Sequence, residues 1–210
     1  MIIIKDVCKT INGQNVLDHI SLQMRQGKCY GIIGRNGSGK TMLFRAICGY
    51  IVLSQGEIYV DDLKIRENGQ FIKNAGIIIG APDFLNNLTG YENLEVLAQI
   101  NRTIDSEEIM ETLKKVGLYD ERNKKYKKYS LGMKQRLRIA QAIMENPEIL
   151  ILDEPFNGLD KSGVEDIRGL IKTYKSENRT ILLSSHNEED IRILCDEIIE
   201  LEGGMVVEKK

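Results

Sequence analysis

The segment Gly34-Arg35-Asn36-Gly37-Ser38-Gly39-Lys40-Thr41 fits the pattern G-x-x-x-x-G-K-[ST], a spacing suited to holding phosphates. Its glycines let successive backbone N–H groups turn inward around phosphate oxygens with no Cβ in the way. A helix starting near Gly39 adds its positive N-terminal end to the same point. In this chemistry Lys40 reaches the β- and γ-phosphates of a nucleoside triphosphate, and the Thr41 hydroxyl is a ligand for Mg2+. Gly34, Asn36, Gly37, Ser38, Gly39, Lys40, Thr41 and Met42 form the nucleotide-binding set of this loop. Gly49 sits where a glycine cap would end the helix.

A second chemical group follows the apolar run Ile149-Leu150-Ile151-Leu152, which delivers Asp153 and Glu154. Two carboxylates at a buried strand end are costly unless a cation or hydrogen-bond donors receive them. Asp153 is placed to hold Mg2+, directly or through its water. Glu154 is placed to orient or deprotonate an attacking water, the base-like role that phosphoryl transfer to water needs. A surface Asp-Glu pair opening a turn before Pro155 is the bland reading, and the phosphate loop outweighs it. A third group, Tyr129-Ser130-Leu131-Gly132-Met133, precedes helical spacing at Met133, Leu137, Ala140 and Met144. Ser130 and Gly132 at that helix start are either a plain N-cap or an anion contact.

Four short apolar runs must position these groups: Tyr30 to Ile33, Ile77 to Ile79, Ile149 to Leu152 and Ile181 to Leu183. They are continuous rather than alternating, as expected of strands buried on both faces of a parallel sheet. Gly34, Gly80-Ala81-Pro82, Asp153-Glu154 and Ser184-Ser185-His186 follow them directly, so one site at the carboxyl ends of the strands is expected. Helical patterns at Glu92 to Ile100, Ser106 to Val116 and Met133 to Met144 predict a helical lobe over about 86–144, inserted between the second and third core strands. Met1 to Val7, Val16 to Met24 and Gly56 to Val60 predict a small side sheet. The expected fold is α/β: a phosphate-loop NTPase (RecA-like) core with a small antiparallel β subdomain and an inserted helical lobe. Residues 1–210 read as a single domain, with core 1–85 and 145–210.

The 29 basic and 31 acidic residues nearly balance, which gives no electrostatic argument for nucleic acid. No run approaches the roughly 20 apolar residues that a membrane span requires. Met1 to Asp6 lacks the features of a signal peptide, and a cytoplasmic protein is expected. Cys8, Cys29, Cys48 and Cys195 are widely spaced in the chain, so buried reduced thiols are expected rather than a disulfide or zinc framework. Lys124, Lys125, Lys127 and Lys128 read as a solvated face, with contact to a membrane partner or acidic lipid as the alternative. Asn187 to Asp190 reads as helix capping, and His19 as structural.

Taken together, these residues resemble the ATP-binding cassette family of transporter ATPases across nearly the whole chain. The phosphate loop, Tyr129 to Arg136 and Ile149 to Glu154 fall in that family's order. Asn157-Gly158-Leu159-Asp160 resembles its D-loop, and Ser184-Ser185-His186 its switch histidine. The resemblance implies an ATPase that binds ATP and Mg2+, in which two cassettes pair head to tail. Each ATP then lies between one phosphate loop and Ser130 and Gly132 of the other copy, with Asp160 linking the two sites and His186 bonding the γ-phosphate. It further implies separate transmembrane permease subunits as partners, and a position at the inner face of the membrane through them.

The segment Asn87 to Leu94, with the features above, looks most like bacterial exporter subunits of the peptide-antibiotic (bacitracin and lantibiotic) type. A soluble cassette that drives cytosolic assembly and a weakly hydrolysing nucleotide-gated module are the alternatives. A GTPase is disfavoured because Asn123-Lys124-Lys125-Tyr126 lacks the aspartate expected for guanine. A DNA-processing cassette would carry a long coiled-coil insertion, which is missing. Two positions depart from the family. Ile11 stands where an aromatic residue usually covers adenine, near Val16, and Gly80 stands where glutamine or glutamate usually faces Mg2+ and the attacking water.

Overall fold

The computed structural model describes residues 1–80 and 84–209, so the expected loop residues Ala81 and Pro82 lie outside the described residues. The chain opens with strands β1 (Ile2–Ile11), β2 (Gln14–Met24) and β3 (Cys29–Ile33), then helix α1 (Lys40–Cys48). Strands β4 (Gln55–Val60), β5 (Leu63–Lys64) and β6 (Ala75–Ile78) follow, then helices α2 (Gly90–Asn101), α3 (Ser106–Lys115) and α4 (Leu131–Ile143). Strand β7 (Ile149–Asp153), helix α5 (Lys161–Ser176), strand β8 (Thr180–Ser184), helix α6 (Glu188–Leu194) and strands β9 (Glu197–Glu202) and β10 (Met205–Lys209) complete it.

The four apolar runs are strands β3, β6, β7 and β8 of a six-stranded sheet ordered β10-β9-β3-β8-β7-β6. From β9 to β6 all neighbours run parallel, and β10 closes the edge antiparallel to β9. Alternation inside each run serves two cores. Ile149, Ile151 and Leu182 pack with α1 and the side sheet, while Leu150, Leu152, Ile181 and Leu183 pack with α4 and α5. Because both faces are covered, the runs carry no polar alternation. Strands β9 and β10 were not expected from the sequence: Glu197-Ile198-Ile199-Glu200-Leu201-Glu202 mixes charge with apolar residues, as an outer strand can.

The side sheet has four strands, ordered β2-β1-β4-β5, all antiparallel. Strands β1 and β2 run further than their apolar segments suggest. Asn12 and Gly13, both with positive φ (49° and 79°), make a two-residue turn between the paired residues Ile11 and Gln14. Three helices, α2 to α4, occupy the chain between β6 and β7, where the helical lobe is expected. Helix α2 starts two residues before the expected Glu92 because Thr89 caps it in a reciprocal box with Glu92. Helix α4 starts at Leu131, ahead of Met133, because the Ser130 hydroxyl accepts from the Met133 N–H. Gly49 caps α1 in the left-handed region, and Asn187 caps α6, both as expected.

All four cysteines are free thiols, and burial pushes Cys48 up to about 12. Wide spacing in the chain does not separate them in space, since the fold brings Cys29 Sγ to 3.7 Å from Cys195 Sγ. No helix among the described residues is long and apolar enough to cross a membrane.

Helix α4 lies directly on β6 at Gly76, where an added Cβ would sit 1.8 Å from the Ala142 carbonyl oxygen. The carbonyl belongs to helix backbone and cannot rotate away, so relief would require the lobe helix to move off the sheet. Gly76→Ala is therefore expected to lose at least about 1–3 kcal/mol of stability, seen as a lower melting temperature. Gly169→Ala on exposed α5, with nothing within 4 Å of the new Cβ, is the control expected to keep it.

Candidate functional site

Strand β3 ends at Ile33 and the chain wraps through residues 34–39 before α1 begins. Gly34 (φ 142°) and Gly39 (φ 107°) are required on two counts. Their φ values lie where L side chains are strained. A Cβ at Gly34 would also meet the Leu201 carbonyl oxygen at 2.2 Å, and one at Gly39 the Val16 carbonyl oxygen at 2.8 Å. The loop is thus pressed against β9 and β2. No side chain caps α1, so its first N–H groups face outward from a helix start, where anions bind. Lys40 is buried, and its Nζ donates to the carbonyls of Gly34 (2.6 Å) and Arg35 (3.1 Å).

Two strand ends and the start of α1 meet around Asp153. Thr41 Oγ1 donates to Asp153 Oδ2 at 2.6 Å, and Ser184 Oγ donates to Asp153 Oδ1 at 2.7 Å. The same Ser184 oxygen accepts from the Glu154 N–H at 2.9 Å. That bond holds Glu154 at φ 55°, a left-handed conformation costing on the order of 1–3 kcal/mol for a residue other than glycine. His186 meets Glu154 twice: its N–H donates to Oε2 at 3.3 Å, and its Nε2 lies 3.2 Å from Oε1. Burial raises the Glu154 carboxyl above its ordinary value, and the facing His186 opposes that rise.

The result is an open cleft of about 320 Å³ whose lining includes Val16, Asn36, Lys40, Thr41, Glu154 and His186. Gly37, Ser38, Gly39, Met42 and Asp153 line it as well. Ser38 Oγ is buried with no hydrogen-bond partner among the described residues, and Glu154 Oε1 is buried with only the His186 ring 3.2 Å away. Orphaned buried polar atoms call for a ligand. With the glycine cradle, the Lys40 ammonium and the Thr41–Asp153 oxygen pair, they fit a nucleoside triphosphate and a hard divalent cation. Val16 forms part of the wall, whereas Ile11 sits exposed at the end of β1.

Ser130, Gly132 and Asp160 are not among the residues lining this cleft. Ser130 is exposed at the start of α4, and Asp160 caps α5 by accepting from the Gly163 N–H at 2.9 Å. Gly132 lies against the D-loop, where an added Cβ would be 3.2 Å from the Gly158 carbonyl oxygen. Beside them a second cleft of about 410 Å³ is lined by Gly80, Leu131, Gln135, Glu154, Asn157 and Gly158. Asp153 and Glu154 face both clefts, forming the wall between the phosphate loop and the segment that begins α4.

Supporting residues escaped the sequence reading. Ser184 bridges the acidic pair, yet in sequence it is one of two serines beside His186. Asp190 is buried and joins Ser185 Oγ (2.7 Å) to the buried Arg168, whose Nε is 2.9 Å away. Gln135 Nε2 donates to the Pro155 carbonyl at 2.8 Å, tying α4 to the turn after Glu154. Nothing local marks Arg168 or Gln135, whose partners lie 22 and 20 residues away in the chain.

Residues 17–157 match the family profile described as ABC transporter. The chain is 40% identical over 204 residues to the uncharacterized ABC transporter ATP-binding protein YybJ of Bacillus subtilis, covering 97% of this chain and 94% of that one. It is 39% identical over 207 residues to the bacitracin transport ATP-binding protein BcrA of Enterococcus faecalis, covering 98% of this chain and 67% of BcrA. Among solved structures, a dimeric post-hydrolysis state of the ATP-binding cassette MJ0796 bound to ADP and Pi superposes with a TM-score of 0.90 at 25% identity. That alignment covers 100% of this chain and 98% of the other.

The raised pKa of Glu154 has a consequence for stability. Its neutral form suits the folded chain, so its contribution is complete below the ordinary value of 4.5 and is lost as pH rises through the higher folded value. Glu154→Gln keeps a neutral side chain at every pH. The variant is therefore expected to melt above the parent protein at neutral pH, with the gap closing as pH falls toward 4.5, by calorimetry without nucleotide. A gap independent of pH would contradict the burial argument.

Proposed function

The chain belongs to the ABC transporter family, and from that premise we propose that it powers a membrane exporter as one half of a nucleotide-sandwich dimer. It binds ATP with Mg2+ and hydrolyses it. The observation that carries the proposal is the joining of Thr41, Asp153, Ser184 and Glu154 into one hydrogen-bonded unit facing the phosphate loop. In it the two candidate Mg2+ ligands and the candidate base are fixed relative to each other before any ligand arrives.

In this reading the loop N–H groups and Lys40 bind the β- and γ-phosphates, with Ser38 Oγ available to the same oxygens. Thr41 and Asp153 hold Mg2+, whose chemistry when bound is to neutralise charge on the phosphate oxygens. Glu154 takes the proton of the attacking water, and its raised affinity for that proton suits the task. His186, beside Glu154, contacts the γ-phosphate. Val16 and Ile11 cover the adenine without aromatic stacking. Ser130 and Gly132, away from the chain's own cleft, serve the γ-phosphate of a second copy, and Asp160 links the two sites.

The partners are separate membrane-spanning subunits, and the chain works at the inner face of the membrane through them. Support comes from apolar residues left exposed on and beside the lobe: Leu85 at 58%, Val96 at 43% and Ile100 at 73%. The relative BcrA, a bacitracin transport protein, supports a peptide-antibiotic exporter.

Two tests follow. Glu154→Gln is expected to lose ATPase activity by about 10²–10⁴-fold and to form a dimer in ATP that light scattering detects at low salt. Only monomer under those conditions contradicts the sandwich. Gly80, which lines the second cleft beside Glu154, gives a specific reason for slow turnover, since it offers no side-chain ligand. A Cβ there would meet nothing within 4 Å, though φ 72° makes any side chain strained by about 1–2 kcal/mol. Gly80→Glu is expected to raise the ATPase rate; an unchanged rate would mean that another group already serves that position.

A further inference from the structure

Strands β1 and β2 pair with a defect away from the nucleotide cleft. Val7 faces Ile20 and Lys9 faces Leu17, so Cys8 alone on β1 is opposed by both Asp18 and His19 on β2. This is a β-bulge, and it suspends the alternation that would send consecutive side chains to opposite faces. His19 itself takes φ 49°. As a result Cys8, Asp18 and His19 bring one sulfur, one carboxylate oxygen and one imidazole nitrogen within 4.8 Å of one another.

We propose that Cys8, Asp18 and His19 form a binding site for a zinc-class divalent transition metal. Zinc takes sulfur, imidazole and carboxylate donors at about 2.0–2.3 Å in a tetrahedron, which places donors roughly 3–4 Å apart. Contraction on the order of 1 Å brings the three donors to that spacing, and the His19 ring, exposed at the surface beside Asp6, has room to supply it. The fourth position is left to water, as in open three-ligand zinc sites.

The surroundings already provide what such ligands require. His19 Nδ1 lies 2.7 Å from Asp6 Oδ1, the carboxylate–histidine arrangement that in metal sites sets the tautomer of the imidazole. Asp6 is fixed in turn by Gln55 Nε2, which donates to its other oxygen at 2.6 Å. The His19 N–H donates to Cys8 Sγ at 3.2 Å, which holds the sulfur beside the β2 backbone at the bulge. Asn15 Nδ2 donates to Asp18 Oδ1 at 2.9 Å and leaves the second oxygen for the ion. A bound ion would clamp β1 to β2 on the hairpin that carries Val16 into the nucleotide cleft.

The test uses the full chain without nucleotide or Mg2+, dialysed against zinc and analysed for bound metal. One zinc per chain is expected, and Co2+ in its place should give a thiolate-to-metal charge-transfer band. Cys8→Ser should abolish that band, His19→Gln should abolish stoichiometric zinc, and Asp6→Asn should weaken binding by about 10–100-fold. His19 is exposed, so His19→Gln keeps the test valid if Cys8→Ser fails to fold. Absence of stoichiometric zinc in the parent chain, or zinc retained undiminished in His19→Gln, overturns the proposal.

Discussion

Asp153 accepts from Thr41 on one oxygen and from Ser184 on the other, and the remaining site geometry depends on that pair of bonds. Thr41 belongs to the first turn of α1, Asp153 ends β7 and Ser184 ends β8. A carboxylate with both oxygens engaged cannot rotate, so three elements from distant parts of the chain are fixed against one another. Strands β3, β8 and β7 are neighbours in the parallel sheet, which brings their carboxyl ends to one edge. The cleft is a property of that edge rather than of any single motif.

Glu154 shows how the strand-end geometry becomes chemistry. Its positive φ turns the carboxylate out of the strand direction, and Ser184 and His186 hold it there. Burial then makes its proton harder to lose than that of an ordinary glutamate. Behind His186, the buried Arg168–Asp190–Ser185 chain anchors the loop that follows β8. A buried ion pair of this kind adds little net stability, but removing one partner strands the other charge. Its value here is positional.

Much of this was legible in the residues. Phosphate chemistry demands glycines, a lysine and a hydroxyl at fixed spacing, and a parallel sheet demands continuous apolar runs, so both announce themselves locally. Strand β9 and the edge strand β10 did not, because a strand with a solvated side tolerates Glu197, Glu200 and Glu202 and loses the apolar signature. Arg168, and the roles of Gln135 and Ser184, were hidden for another reason. The contacts by which they build the site reach 20 to 31 residues along the sequence, and only the tertiary fold makes them. The bulge opposing Cys8 to Asp18 and His19 was equally hidden, since a one-residue slip in strand register leaves no mark in composition.

In the proposed sandwich a complete site needs two chains, with the phosphate loop of one facing the α4 start of the other. Asn36 and Ser130 are both exposed in the single chain. The direct measurement is disulfide cross-linking of the Asn36→Cys, Ser130→Cys double variant with and without ATP, in the presence of Glu154→Gln to prevent turnover. A covalent dimer that forms with ATP and is missing from either single cysteine variant is expected. A chain that stays monomeric with ATP, or dimerises equally well without it, would contradict the account.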